Sequence, residues 1–203
     1  MTTVHPSKKD IVSEFRRAGI LRAARKVFAR RGYDGATMDD VADACSIAKG
    51  TLYLYFKSKR QIYVAVLKQD LESLREATRR AIDGASSAED RIRAFVTTRF
   101  DFCEQHRDFF RIYNSDLSTI FVNPQPTQKD LRDFYLSQAH VLANIIKEGI
   151  RTGELRDVPA NSAAFAIYDI TRAAIARRLL AISGDGPNAA ELMDLIWKGI
   201  GRA

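Results

Sequence analysis

The stretch from Thr37 to Lys59 reads TMDDVADACSIAKGTLYLYFKSK. It opens on Thr37-Met38-Asp39-Asp40, a Ser/Thr-x-x-Asp/Glu pattern in which the hydroxyl caps an open amide and the acid reaches back. Met38, Val41, Ala42 and Cys45 then recur at i, i+3, i+4 and i+7, the apolar stripe of a short amphipathic helix. Ser46-Ile47-Ala48 interrupts it. A second short helix follows, with Leu52 and Phe56 four apart on one face and Lys49, Thr51, Tyr53 and Tyr55 turned elsewhere. Ser58-Lys59-Arg60-Gln61 repeats the capping pattern and starts a third helix. Two short helices across a tight turn, the second rich in Lys, Thr and Tyr, make a helix-turn-helix suited to nucleic acid.

Thr37, Val41-Ala42, the run Ile47 to Phe56 and Ser58-Lys59 together resemble the N-terminal domain of the tetracycline-repressor (TetR) family of bacterial transcription regulators. Two positions depart from the family pattern. Ser46 stands where the turn glycine is usual, so a left-handed residue there carries a small strain. Ala48 stands where a serine or threonine usually caps the recognition helix. The resemblance implies phosphate contacts from Lys49, Gly50, Tyr53, Tyr55 and Lys59, with Thr37 at the neighbouring helix end. Partial burial in the small head is the competing role for Tyr53. Thr51 and Leu54 are placed for base edges or thymine methyl groups.

Charge agrees with a DNA-binding head. The chain has 203 residues and a net charge of +7. Residues 1–60 hold 13 basic and 6 acidic side chains, so the entire excess sits there, while residues 61–203 balance 19 against 19. Phosphate binding requires such an asymmetry, because each neutralised phosphate releases condensed counterions.

Other bounds are quickly set. A hydrophobic content of 46% supports a core, in one domain or in a small one plus a larger one. No apolar run approaches the roughly 18 residues of a membrane span. The polar start MTTVHPSKKD lacks the apolar centre of a signal peptide, so a cytoplasmic location is expected. Two cysteines, Cys45 and Cys103, are too few for a disulfide framework.

Taken in order, residues 1–10 read as a basic tail. From Ile11 to Arg31, Phe15, Ile20, Ala24, Val27 and Phe28 trace a helical stripe that Gly32 ends. This helix is expected to close a three-helix head against Val41, Leu52 and Phe56. The helix from Lys59 runs through Ile62, Val66, Leu67, Leu71, Leu74 and Ile82, too long for the head alone. Domains are therefore drawn at 1–57 for DNA binding and 58–203 for ligand binding and dimerisation, in an all-α fold.

Beyond Ser87 every periodic segment is helical. Glu89 to His106 buries Ile92, Phe95, Val96, Arg99, Phe100 and Cys103; Asp108 to Ile120 is dense in aromatics. Val122 to Thr127 is a loop by its two prolines, and Thr127 is a candidate cap for a helix running to Ile150. Ala163 to Ile182 is apolar almost all the way round, so it needs cover on every side. With the last helix, Ala189 to Ile200, it reads as a self-pairing surface, a four-helix bundle from two copies of the chain. Ile175, Leu179, Leu192, Leu195 and Ile196 are the residues assigned to that homodimer interface.

The aromatics of the larger domain are mostly core, with a subset lining an apolar cavity. Phe100, Cys103, Phe109, Tyr113, Phe134, Gln138 and Tyr168 are the residues assigned to a small-molecule effector, and Arg99, Asn114, Asn144 and Asp169 are further polar candidates. Cys103 and His106 are three apart and could share a metal, but a tetrahedral site needs more ligands. No metal site and no cofactor is assigned. There is no phosphate loop, nucleophile elbow or HExxH, so the chain does not read as an enzyme. The resemblance implies a repressor released from a palindromic operator by a small apolar effector. A metal- or thiol-responsive regulator of the same fold, or a non-specific architectural DNA binder, are the alternatives.

Overall fold

The computed structural model describes residues 7–117, 129–180 and 186–201, with side chains left out at 8–10. The described residues form helices α1 (Lys8–Gly35), α2 (Met38–Ala44), α3 (Lys49–Tyr55), α4 (Lys59–Asp83), α5 (Ala88–Gln105), α6 (Arg107–Leu117), α7 (Lys129–Thr152), α8 (Ala160–Leu179) and α9 (Ala189–Ile200). Two compact units divide the chain between Gln69 and Asp70, inside α4. The loop at Val122–Thr127, the cap at Thr127, Phe121 and most of the basic tail fall outside the described residues.

In the first unit α1 carries Ile20, Leu21, Ala24, Val27 and Phe28 into a core with Val41, Ala42, Leu52, Phe56, Ile62 and Val66. Gly32, at φ +69° and ψ 177°, takes a positive-φ conformation open essentially to glycine alone, which breaks α1 three residues before its end. Tyr63 caps the core, edge-on to Phe28 at 4.9 Å and against Tyr33 at 4.8 Å. Phe15 departs from the expected stripe: it is 72% exposed. Gln61 donates its amide to Ser58 Oγ at 3.2 Å, while its own side chain accepts from the Lys57 amide at 2.7 Å, one residue beyond the expected box.

The second unit is a helical bundle in which α7 and α8 share the most extensive contact. Ser87 caps α5 through the Asp90 amide, and an Asn188–Glu191 capping box starts α9. Gly153, at φ +81°, ends α7, and Pro159 precedes α8. At Gly149 a Cβ would lie 2.7 Å from both Ala88 and Leu155, so α7 and α5 meet there through a glycine. The core holds Leu71 and Leu74 of α4 with Phe95, Phe109, Phe110, Leu131, Phe134, Leu142, Ile146 and Tyr168.

Candidate nucleic-acid interface and effector cavity

Thr37 begins the helix-turn-helix as expected. Its Oγ1 accepts from the Asp40 amide at 3.1 Å, and its own amide donates to Asp40 Oδ2 at 2.9 Å. The Thr37 hydroxyl also donates to Asp40 Oδ2 at 2.8 Å; this bond first and the amide bond second hold the Asp40 carboxyl below its ordinary range, and Arg31 lies 3.0 Å away. The turn is a Schellman motif: Ser46 N–H donates to Asp43 at 3.0 Å and Ile47 N–H to Ala42 at 3.1 Å. Ser46 takes φ +54°, the one positive φ among described non-glycine residues. Ala48 leads into α3 with no side-chain cap.

Leu52 and Phe56 anchor α3 in the core, and Arg17 stacks on the Phe56 ring at 4.4 Å. Lys49, Gly50, Tyr53 and Leu54 are exposed, Leu54 to 76%. Thr51 and Tyr55 sit half-buried on a flank, lining a groove of about 430 Å³ with Phe15, Gly19 and Cys45. Cys45, expected in the core, is thus only half-buried. The two assigned lysines are held by their own chain. Lys49 Nζ lies 2.8 Å from Asp39, a bond that raises its pKa. Lys59 Nζ sits 4.5 Å over the Tyr33 ring and donates to the Asp34 carbonyl at 3.3 Å.

In the second unit Arg99, from α5, is only 5% exposed. Its Nη2 donates to Gln138 at 2.9 Å, and its plane lies against Phe95 at 4.1 Å and Tyr168 at 4.7 Å. Arg99 lines a small cavity of about 10 Å³ with Leu74, Cys103, Phe110, Tyr113, Tyr168, Arg172 and Ile175. The hydroxyls of Tyr113 and Tyr168 are hydrogen-bonded to each other. Burial raises the pKa of both phenols, so they stay neutral hydrogen-bonding groups.

Three residues assigned to the effector, Cys103, Tyr113 and Tyr168, therefore meet at one cavity. Gln138 and Phe134 contact Arg99 from behind, whereas Phe100 and Phe109 belong to the core. Burial pushes the Cys103 thiol up to about 12, and burial also raises Cys45, which disfavours the reactive thiolate a redox switch needs. His106 ends α5 with its ring 4.3 Å from Phe102. Among the described residues no three His, Cys, Asp or Glu side chains cluster as a metal site would require.

The outer face of α8 shows Ala166, Ile170 and Ala173 at i, i+4 and i+7, and α9 adds Leu195, which is 63% exposed. Between them runs a groove of about 310 Å³ lined by Ile170, Ala173, Arg177, Pro187 and Leu195 among others. Ile175, Leu192 and Ile196 are buried by their own chain, and Leu179 packs half-buried against the same core. Of the five residues assigned to the interface only Leu195 is exposed, and Leu192 and Ile196 line the groove beside it.

Residues 20–66 match the model for bacterial regulatory proteins of the tetR family, and residues 84–175 match that for tetracyclin repressor-like C-terminal domains. The chain belongs to the TetR family. The family consists of DNA-binding transcription regulators rather than enzymes. The HTH-type transcriptional activator FasR of Mycolicibacterium smegmatis is 38% identical over 105 residues, 51% of this chain and 48% of that protein. The match thus spans about half the length of that relative. The HTH-type transcriptional repressor KstR2 of the same organism is 29% identical over 141 residues, 70% of this chain and 68% of that one. The solved structure of the ketosteroid transcriptional regulator KstR2 of Mycobacterium tuberculosis shares the fold, with a TM-score of 0.76 at 24% identity over 93% of this chain and 96% of that one.

For this TetR-family chain, Leu74, Arg172 and Ile175 are cavity residues that the sequence did not mark as such. Arg172 left a signal: with Asp169 it is one of two charges inside the mostly apolar run AAFAIYDITRAAIA, where a buried charge needs a partner. No described helix is long and apolar enough to cross a membrane.

Proposed function

We propose that this chain is a homodimeric repressor that holds a palindromic operator and releases it when a small, largely apolar effector enters the cavity at Arg99. Leu74 carries the reading. It lines the cavity, and it belongs to the same unbroken helix α4 whose first residue is Lys59 of the DNA-binding head. The cavity, at about 10 Å³, has room for one water at most. An effector must therefore push the walls apart, and α4 is one of those walls. Dimeric helix-turn-helix proteins need recognition helices about one DNA turn apart, roughly 34–36 Å, so a shift of α4 alters the fit to DNA. An effector that shifts α4 costs operator binding in this reading, which makes the protein a repressor, as the similar KstR2 is named.

Lys49, Gly50, Tyr53, Leu54 and Tyr55 of α3, with Thr51, Thr37 and Lys59, form the DNA-facing set in this reading. The Ile170–Ala173–Leu195 surface pairs two copies, and the protein acts on DNA in the cytoplasm. Selection of binding sites from random DNA should yield one palindrome; an architectural binder would enrich none. Titrating an effector with and without that operator then measures the coupling, which must be equal in both directions, typically about 5- to 150-fold. Equal effector affinity in the two titrations would sink the sensor reading.

A further inference from the structure

We propose that the Arg99 cavity is a carboxylate receptor: the effector is an amphiphilic monocarboxylic acid whose carboxylate takes the guanidinium of Arg99. Its apolar body then lies against Leu74, Phe110 and Ile175. This inference rests on the sensor reading above and adds the chemical class of the effector.

The reason is an unbalanced buried cation. Arg99 is 5% exposed, yet no carboxylate forms an ion pair with it among the described residues. A guanidinium offers five N–H donors in a rigid fork. Gln138 accepts one of them, and Arg99 Nε is buried with no acceptor at all. The rings of Phe95 and Tyr168 cover the guanidinium plane, which leaves its donor edge for a ligand. Burying a cation without an anion is costly, and a protein retains such a group where something else supplies the charge.

A second cation points the same way. Arg172 lines the same cavity, donates to Asn114 Oδ1 at 3.0 Å, and leaves its own Nε buried without an acceptor. Tyr113 and Tyr168 add phenol groups at the same place. A planar carboxylate matches the Arg99 fork with two parallel bonds. One fully buried cation balances one negative charge, because Arg172 is half-buried and already bonded to Asn114. The remaining lining, Leu74, Cys103, Phe110 and Ile175, is apolar, which selects a hydrocarbon body over a polar one.

The test uses the full-length protein, calorimetric titration and thermal denaturation. Straight-chain acids from butanoate to dodecanoate are compared with their methyl esters and with octanoyl coenzyme A, whose thioester has consumed the carboxylate. At least one acid should bind about 10- to 100-fold tighter than its ester, the range of a charge-assisted bond. Arg99→Met should abolish that preference while melting, without ligand, no lower than the parent. Arg99→Lys, which keeps the charge and loses the fork, should retain only part of it and serves if the methionine variant misfolds.

Equal binding of acid and ester, or no binding by any acid, overturns the proposal. So does Arg99-dependent binding of the coenzyme A ester in preference to the acid, which would assign the site to phosphate. If the acids fail while another compound releases operator DNA, the sensor reading stands and only the carboxylate falls. If the acids bind through Arg99 and leave the operator bound, the receptor stands and the repressor reading falls.

Discussion

Lys49 and Asp39 form an ion pair of 2.8 Å between α3 and α2, so the first residue of the recognition helix is held by an acid of the helix before it. Both side chains are more than half exposed, so the pair itself adds little stability. Its consequence lies in DNA binding. Lys49→Ala should weaken binding on all sequences alike and reduce the salt slope by about one unit. Asp39→Asn should do the reverse, freeing the lysine and removing a charge that repels phosphate. A salt titration of operator affinity reads both, and an unchanged slope in Lys49→Ala would show that this lysine meets no phosphate.

Ser46 occupies a left-handed position, φ +54°, that the Schellman turn after α2 requires. An L-residue there costs about 1–2 kcal/mol, part of which glycine gives back through its freer unfolded chain. Ser46→Gly should raise stability by about 0.5–1 kcal/mol. Urea unfolding checks it. A loss of stability would mean that the serine side chain holds the turn.

Leu195 and Leu192 lie on one helix and should fail differently when charged. Leu195 is 63% exposed and Leu192 3%. Leu195→Glu should leave a folded chain that no longer pairs, seen as a halved mass in light scattering, and its operator affinity should drop because one head reads half a site. Leu192→Glu should unfold the second unit, because it buries an unpaired carboxylate. A Leu195→Glu protein that stays dimeric would move the interface elsewhere.

Cys103 gives a pH signature. Its thiol is pushed from an ordinary 9.0 up to about 12, chiefly by burial, with Arg99 pulling slightly the other way. The folded state then keeps a proton that the unfolded state loses above about pH 9, so this contribution to stability is complete below pH 9 and fades toward pH 12. Cys103→Ala should flatten the loss of stability over that window. Thiol reagents at neutral pH should label Cys45 before Cys103, because Cys103 is buried and Cys45 half-buried.

The helix-turn-helix was legible because its causes are local. Thr37 and Asp40 are three residues apart, the Ser46 turn is closed by bonds within five residues, and the spacing of Leu52 and Phe56 alone sets which side of α3 is buried. The bundle of the second unit was legible as a set of helices for the same reason, from the break at Gly84–Ser87, the stop at Gly153, Pro159 near a helix start and periodic apolar faces, whereas the caps at Ser87 and Asn188 were seen only in the structure.

Which neighbour each face meets was decided by the tertiary structure alone. Phe15 lies on the apolar stripe of α1 yet stands 72% exposed, because periodicity gives a direction around a helix and not the length over which a partner covers it. In α8, apolar over most of its circumference, periodicity gives little direction either, so Ile175 turned out to line the cavity and Ile170 to face outward. Arg99 was visible in the sequence as a cation on an apolar stripe. That it is enclosed by Phe95, Phe134, Gln138 and Tyr168 from three helices, with a donor left over, depends on residues up to 69 positions away and exists only once the chain has packed.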